Sequence, residues 1–269
     1  VDKNLVFTFD KYRKIVPCRL KLMLMKYLYR FFALSLFATV LLSCNSDEDD
    51  NFDPVLQAAE DDEALVTFMK SHYYNEVDDS VDTLMSSDRI SIFLDPRLES
   101  ELITENEVDY TLYYLVLEEG TNESPSMVDR VFTDYTGFFT SNLNAFDSNE
   151  DIWFNLTAVI RGWSYGFTKF KSGINNSVPG EPLSFDGSGK GYLIIPSGLA
   201  YGHNPGGLLA GFADQNLIFK IELKFVEYLD QDGDGILSKD EDTNGNGNLD
   251  DDDTDGDGIP NYLDSDDNS

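Results

Sequence analysis

Hydrophobic and polar positions alternate most cleanly over residues 216–228, "NLIFKIELKFVEY". There Leu217, Phe219, Ile221, Leu223 and Phe225 interleave with Ile218, Lys220, Glu222 and Lys224. A period of two predicts an antiparallel strand with one buried and one solvated face. "RISIFLDP" (89–96), "VDYTLYYLVLEEG" (108–120), "RVFTDYTGFF" (130–139) and "KGYLIIPSGLAYG" (190–202) are β-branched or aromatic runs closed by turn residues, and they predict further strands. Two stretches change period. In "DDEALVTFMKSHYYNEV" (61–77), Asp61 stands at a helix start, and Leu65, Phe68, Met69 and Tyr73 share one helical face. That helix docks either on its own domain or on a second copy. Trp163, Gly166, Phe167 and Phe170 recur at i, i+3, i+4 and i+7, so Trp163 opens a short helix lying on the sheet. Several strands and one crossing helix make an α+β domain.

Charge narrows the partners. The formal net charge is −31, with 41% hydrophobic and 13% aromatic residues. This argues against nucleic acid and against direct binding to anionic lipid. The basic residues concentrate at the front. Lys26 and Arg30 precede the apolar run "FFALSLFATVLL" (31–42), then Ser43 and Cys44. That is the layout of a signal peptide, too short to span a bilayer stably. "LLSC" (41–44) resembles the lipobox of bacterial lipoproteins, which implies a lipid on Cys44 and an anchor in the membrane; an ordinary signal peptide or an N-terminal membrane helix is the alternative. Met25 is the expected start of translation, so residues 1–24, with Cys18, drop out of the reading. Without residues 1–43 the chain holds 11 basic and 48 acidic side chains, a net −37. With Cys44 acylated, no thiol is left for a disulfide. Residues 44–60 read as a solvated acidic tether, either an outer-surface sorting signal or a mere spacer.

The organisation expected is a leader (1–43), the tether (44–60), a helix and strand extension (61–104), a sheet domain (105–229) and an acidic tail (230–269). Within the sheet domain "YTG", "AFDS", "VIRGW" and "IIPSGLAYG", followed by "LIFKIEL", resemble the FKBP family of peptidyl-prolyl cis–trans isomerases. The resemblance implies a twisted antiparallel sheet wrapped around one short helix, with an aromatic pocket between them. It implies that Tyr135, Phe146, Asp147 and Phe219 are pocket walls and Trp163 the floor. Val159 and Ile160 are the pair whose backbone receives substrate, and Tyr201 supplies a rim hydroxyl. Ile152 or Phe154 adds a further wall. Such a pocket needs no cofactor. An X–Pro amide twists over a barrier of about 18–20 kcal/mol, and stripping water from it favours the twisted state. No Ser/His, Cys/His or paired-carboxylate arrangement competes for a role, and His203 reads as a solvent-facing loop residue.

Three features depart from the family pattern. Asp147 lacks a nearby arginine, the loop "GHNPGGLLAGFADQ" (202–215) lacks a proline pair, and residues 174–190 insert a turn-rich excursion that is a lid or decoration. They keep a second class in view, a non-catalytic module holding proline segments as a chaperone or scaffold.

The last forty residues hold fifteen Asp/Glu and one Lys. They are patterned. Asp230, Asp232, Asp234 and Glu241 keep the spacing of an EF-hand loop, as do Asp242, Asn244, Asn246 and Asp253, and then Asp253, Asp255, Asp257 and Asp264. Starts 12 and 11 residues apart leave no room for flanking helices, so the array resembles thrombospondin type 3 repeats and implies Ca²⁺. Mg²⁺ fits less well because it insists on octahedral geometry. The plain alternative is a low-complexity acidic tail. The function expected is a monomeric, lipid-anchored isomerase of the cell envelope, at the outer membrane or surface. It would act on proline-containing exported polypeptides, with the tail as a calcium-stiffened stalk.

Overall fold

Asp53 followed by Pro54 is a helix-start pair: the carboxylate caps free amides, and a missing N–H costs nothing in the first turn. In the computed structural model, which describes residues 52–266, Asp53 Oδ1 accepts from the Val55 and Leu56 amides and α1 runs Pro54–Ser71. Two expectations are corrected. The helix starts inside the segment read as tether, and Asp61 is not its start. Asp61 is 2% exposed, and its Oδ2 accepts from the Ser197 amide and hydroxyl at 2.9 and 2.6 Å. It is a buried docking carboxylate in mid-helix, and only its distant partner distinguishes it from a cap. The leader, Cys44 and the first part of the acidic segment lie outside the described residues.

After α1 the chain forms a hairpin, β1 (His72–Asn75) with β2 (Ser80–Thr83), where the helical pattern had suggested continuation to Val77. Residues 89–96 are not a strand. The Leu94 and Asp95 amides bond to the Ser91 and Ile92 carbonyls at 3.0 Å and close a turn of 3-10 helix, Ile92–Leu94, after which Asp95 grips the Arg97 amide and guanidinium at 2.9, 2.9 and 2.7 Å. The main sheet is antiparallel throughout. Its strands are β3 (Leu98–Glu105), β4 (Val108–Glu118), β5 (Arg130–Phe139), β6 (Ala145–Asn155), β9 (Gly189–Ile195) and β10 (Leu217–Glu227). Their order across the sheet is β3-β4-β9-β10-β5-β6. The insertion at 174–190 carries a two-stranded hairpin, β7 (Ile174–Asn175) with β8 (Phe185–Asp186). At the β6 edge the register with β5 slips twice, between Thr133 and Tyr135 and between Gly137 and Phe138.

Both faces of this sheet are covered. On one lies α2 (Arg161–Phe167), with Trp163, Phe167 and Phe170 packed over Leu193, Phe219 and Ile221. On the other, α1 lays Leu65, Phe68 and Met69 over Leu115, Ile194 and Ile218. β10 therefore departs from its clean alternation: Ile218, on the face expected to be solvated, is fully buried. Lys220, Glu222 and Lys224 are only half-buried, where the helix no longer covers them. A bulge between Leu223 and Phe225 then puts Val226 into the core and turns Phe225 outward against Trp153 and Phe185.

The tail is not a free stalk. Leu249 and Tyr262 belong to the same core as Trp163, the Leu249 amide meets Met127 Sδ at 3.4 Å, and Gln231 Nε2 donates to the Val128 carbonyl at 2.8 Å. The reason is that two of its few apolar residues, Leu249 and Tyr262, are buried in that core.

The second-face core can be tested directly. Leu65→Ala removes a fully buried side chain between α1 and the sheet, and should cost about 2–5 kcal/mol in urea unfolding. Leu102→Ala, at a site 65% exposed, should stay within about 0.5 kcal/mol. Equal effects would mean that α1 is not part of the folded unit.

Candidate active site

Trp163 sits two residues into α2, a helix of seven residues whose first turn is closed by Trp163 N–H bonding to the Ile160 carbonyl at 2.8 Å. So short a helix has little stability of its own, and tertiary packing holds the indole in place. Four rings surround it edge-on: Tyr135, Phe154, Phe167 and Phe219, with centroids at 5.0, 5.1, 5.2 and 5.1 Å. Edge-to-face pairs each contribute about 0.5–1.5 kcal/mol beyond their area. The indole Nε1 is buried with no hydrogen-bond partner, which marks how apolar this floor is. Gly137 of "YTG" makes the wall possible: a Cβ there would stand 2.6 Å from both Phe146 and Phe219.

Above the indole is an open cavity of about 480 Å³. Tyr135, Phe146, Asp147, Val159, Ile160, Trp163, Tyr201 and Phe219 all line it, as does Phe154. Ile152 does not. It lies half-buried opposite Thr133, in the last pair before the first register slip of β6. A larger cavity of about 830 Å³ lies under the β1–β2 hairpin, but its lining is mostly charged and polar, which suits water better than an apolar ring.

Asp147 corrects a second expectation. It is exposed, not buried, and its partner is the Tyr135 hydroxyl, which donates to Oδ2 at 2.6 Å. The β5–β6 pairing brings these residues together, and no arginine is needed. Burial, followed by the Asp147 hydrogen bond, raises the Tyr135 phenol well above its ordinary range. Burial and the Asp147 charge raise Tyr201 as well. Both phenols therefore remain protonated donors at neutral pH. His203 is not simply solvent-facing: it stacks on Phe52 at 3.9 Å and lies 2.9 Å from Asp214.

Four contributors escaped the sequence reading. Phe212, in the 3-10 segment Gly207–Phe212, packs on Tyr201 and Phe146 at 4.7 and 5.0 Å and anchors the glycine-rich loop to the rim. Its only signal is a single aromatic in a run of small residues. Ala158 and Ala200 line the cavity without distinctive chemistry. Arg161 also lines it, and its guanidinium binds Glu105, Tyr165 and Asp250.

The acidic loops repeat atom by atom. Asp230 accepts from the amides of Gly233 and Gly235, Asp242 from Gly245 and Gly247, and Asp253 from Gly256 and Gly258. All six glycines have positive φ, which other residues adopt at a cost. Carboxylate oxygens of Asp230, Asp232 and Asp234 lie within 4.8 Å of one another, as do those of Asp253, Asp255 and Asp257. Glu241 and Asp264 are buried behind the first and third loops. The second loop differs from expectation. Asp253 heads the third loop, and the carboxylate facing Asn244, Asn246 and Asn248 is that of Asp251.

Among solved structures the chain is similar to a peptidyl-prolyl cis–trans isomerase from Pseudomonas syringae, at 22% identity over 66% of this chain and 98% of that one, with a TM-score of 0.41. It is also similar to FkpA from Escherichia coli, at 22% identity over 80% of this chain and 74% of that one, with a TM-score of 0.38. Comparison with curated proteins finds no match. Residues 121–224 match the family described as FKBP-type peptidyl-prolyl cis-trans isomerase. That span contains every wall of the aromatic cavity, from Tyr135 to Phe219. Residues 121–224 are therefore similar to an FKBP-type peptidyl-prolyl cis–trans isomerase domain, a match that implies proline-containing polypeptides as substrates.

Proposed function

We propose that this isomerase works in the cell envelope, anchored by a lipid on Cys44, on the X–Pro bonds of exported polypeptides, and that its tail binds Ca²⁺. The isomerase chemistry needs little from the protein beyond the cavity. A proline ring entering the space over Trp163 displaces water from its own amide, and the planar, charge-separated amide loses more from that than the twisted one. The Ile160 amide and the Tyr201 hydroxyl are the donors available to hold a substrate carbonyl while the bond turns. The observation that carries this reading is the apolar cavity floored by Trp163 and walled by five other aromatic rings. One of the features favouring a non-catalytic module is an Asp147 without a partner, and Tyr135 provides that partner.

Export and lipidation are supported by the basic, apolar and "LLSC" succession ending at Cys44. Among the described residues no helix is long and apolar enough to cross a membrane. For the tail, the donor set supports a hard cation. Oδ2 of Asp232, Asp234 and Asp252 is buried with no hydrogen-bond partner, and a buried carboxylate oxygen left so is costly. Oxygen donors with flexible spacing suit Ca²⁺, at affinities of around 10⁻⁴–10⁻³ M for extracellular modules.

Two measurements test this. On an X–Pro peptide, Trp163→Leu and Phe154→Ala should each lower kcat/KM by about tenfold or more, equivalent to about 1.4 kcal/mol. Ile152→Ala, outside the cavity, should stay within about threefold. A pattern that ignored the cavity lining would remove the pocket assignment. Calcium at ten to one hundred times its Kd should stabilise the protein by about 1.4–2.7 kcal/mol per site. This would appear as a rise in Tm that chelator reverses and Mg²⁺ does not match; an unmoved Tm would remove the calcium reading.

A further inference from the structure

We propose that Arg161 is a positioning residue for the isomerase pocket, and that the second acidic loop of the tail sets its position through Asp250. Arg161 directly follows Ile160 and opens α2, so its backbone belongs to the cavity wall next to the substrate-binding pair. Its side chain points the other way and joins three separate parts of the chain. Nε donates to Glu105 Oε1 at 2.6 Å, at the end of β3. Nη2 reaches the Tyr165 hydroxyl at 2.9 Å, one turn along α2, and Asp250 Oδ2 at 2.7 Å, in the tail.

Asp250 is itself held. The Tyr262 hydroxyl donates to its other oxygen at 3.0 Å, and the neighbouring Leu249 is 2% exposed in the main core. The second loop thus approaches the pocket helix from behind, with one buried apolar side chain and one ion pair. A guanidinium gripped by two carboxylates on different segments loses most of its freedom, and a planar fork loses less than other cations in doing so. The residue pinned this way is the first of a helix too short to fix its own start. Loss of the Asp250 contact leaves Arg161 attached only to Glu105 and to Tyr165 of its own helix, and loosens the Val159–Ile160 peptide, where substrate must be oriented.

The loop has its own instability. Asp242, Asp250, Asp251, Asp252 and Asp253 lie within twelve residues and carry no compensating cation in sequence. Like charges this close repel unless a cation sits among them. Occupancy of the loop would therefore be transmitted to the pocket through Asp250 and Arg161. The inference rests on the isomerase reading, and its cation arm rests on the calcium reading.

The test uses the full chain with Trp153→Phe, which leaves Trp163 as the only indole. Asp250→Asn, with calcium present, should raise KM for an X–Pro peptide several-fold with a smaller change in kcat, and should shift Trp163 emission. Tyr262→Phe, which removes no carboxylate, should act in the same direction more weakly. Arg161→Lys should recover part of what Arg161→Ala loses. Chelator should reproduce the Asp250→Asn effect in the parent and add little in that variant. If KM and emission in Asp250→Asn and Tyr262→Phe match the parent, the inference fails whether or not the tail binds calcium. If both variants respond but calorimetry detects no calcium binding, the positioning role stands and the calcium reading fails.

Discussion

A helix of seven residues cannot hold itself together in water, yet here one carries the floor of the working pocket. The rest of the molecule follows from that constraint. The sheet offers Leu193, Phe219 and Ile221 as a bed. Tyr135 and Phe154 close on the indole from the side, and Phe167 supports it within the helix. Behind the helix, Glu105 and the tail fix its first residue. Catalysis by desolvation asks only that a cavity stay open and dry without collapsing, and mutual edge-on packing of rings achieves that without a polar group on the floor.

The second layer explains the stiffness of the bed. A sheet with one wet face twists and breathes, whereas this one is clamped by α1 over Ile194 and Ile218 while α2 presses from the opposite side. Asp61 ties α1 to Ser197 in the turn that leads to Tyr201, so the clamp also reaches the rim of the pocket. A carboxylate buried there would be costly alone; with two donors from Ser197 and one from Gln57 it becomes a specific latch.

Sequence periodicity revealed what depends on neighbours along the chain. β5 and β10 are where their alternation placed them, and the motif residues from Tyr135 to Phe219 gather around one cavity. What it hid depends on distant partners. Whether Ile218 faces water or a helix is decided by residues from Leu65 onward, far away in the chain. Phe225 faces outward because of a single bulge, which no period reports. Asp147 lacked a visible partner because Tyr135 meets it only through strand register. Ile152 and Phe154 share parity on β6, and only Phe154 reaches the cavity, a difference that parity does not report. The tail reads as a solvated array in charge but not in packing, since Leu249 and Tyr262 are buried in the core and Gln231 and Asp250 bond to the sheet domain.

The edge formed by β6 has a meaning for how clients leave. A folding catalyst meets chains that are extended and rich in unpaired backbone, and an open flat strand edge would invite them to add on as another strand. β6 presents Asp147, Glu150 and Asp151 to solvent, and its two register slips kink the ladder of amides and carbonyls there. A client can seat a proline over Trp163 but finds no straight ladder beside it on which to zip up. An edge charged and kinked in this way disfavours strand addition, the step by which an extended chain would turn the sheet into a template for aggregation.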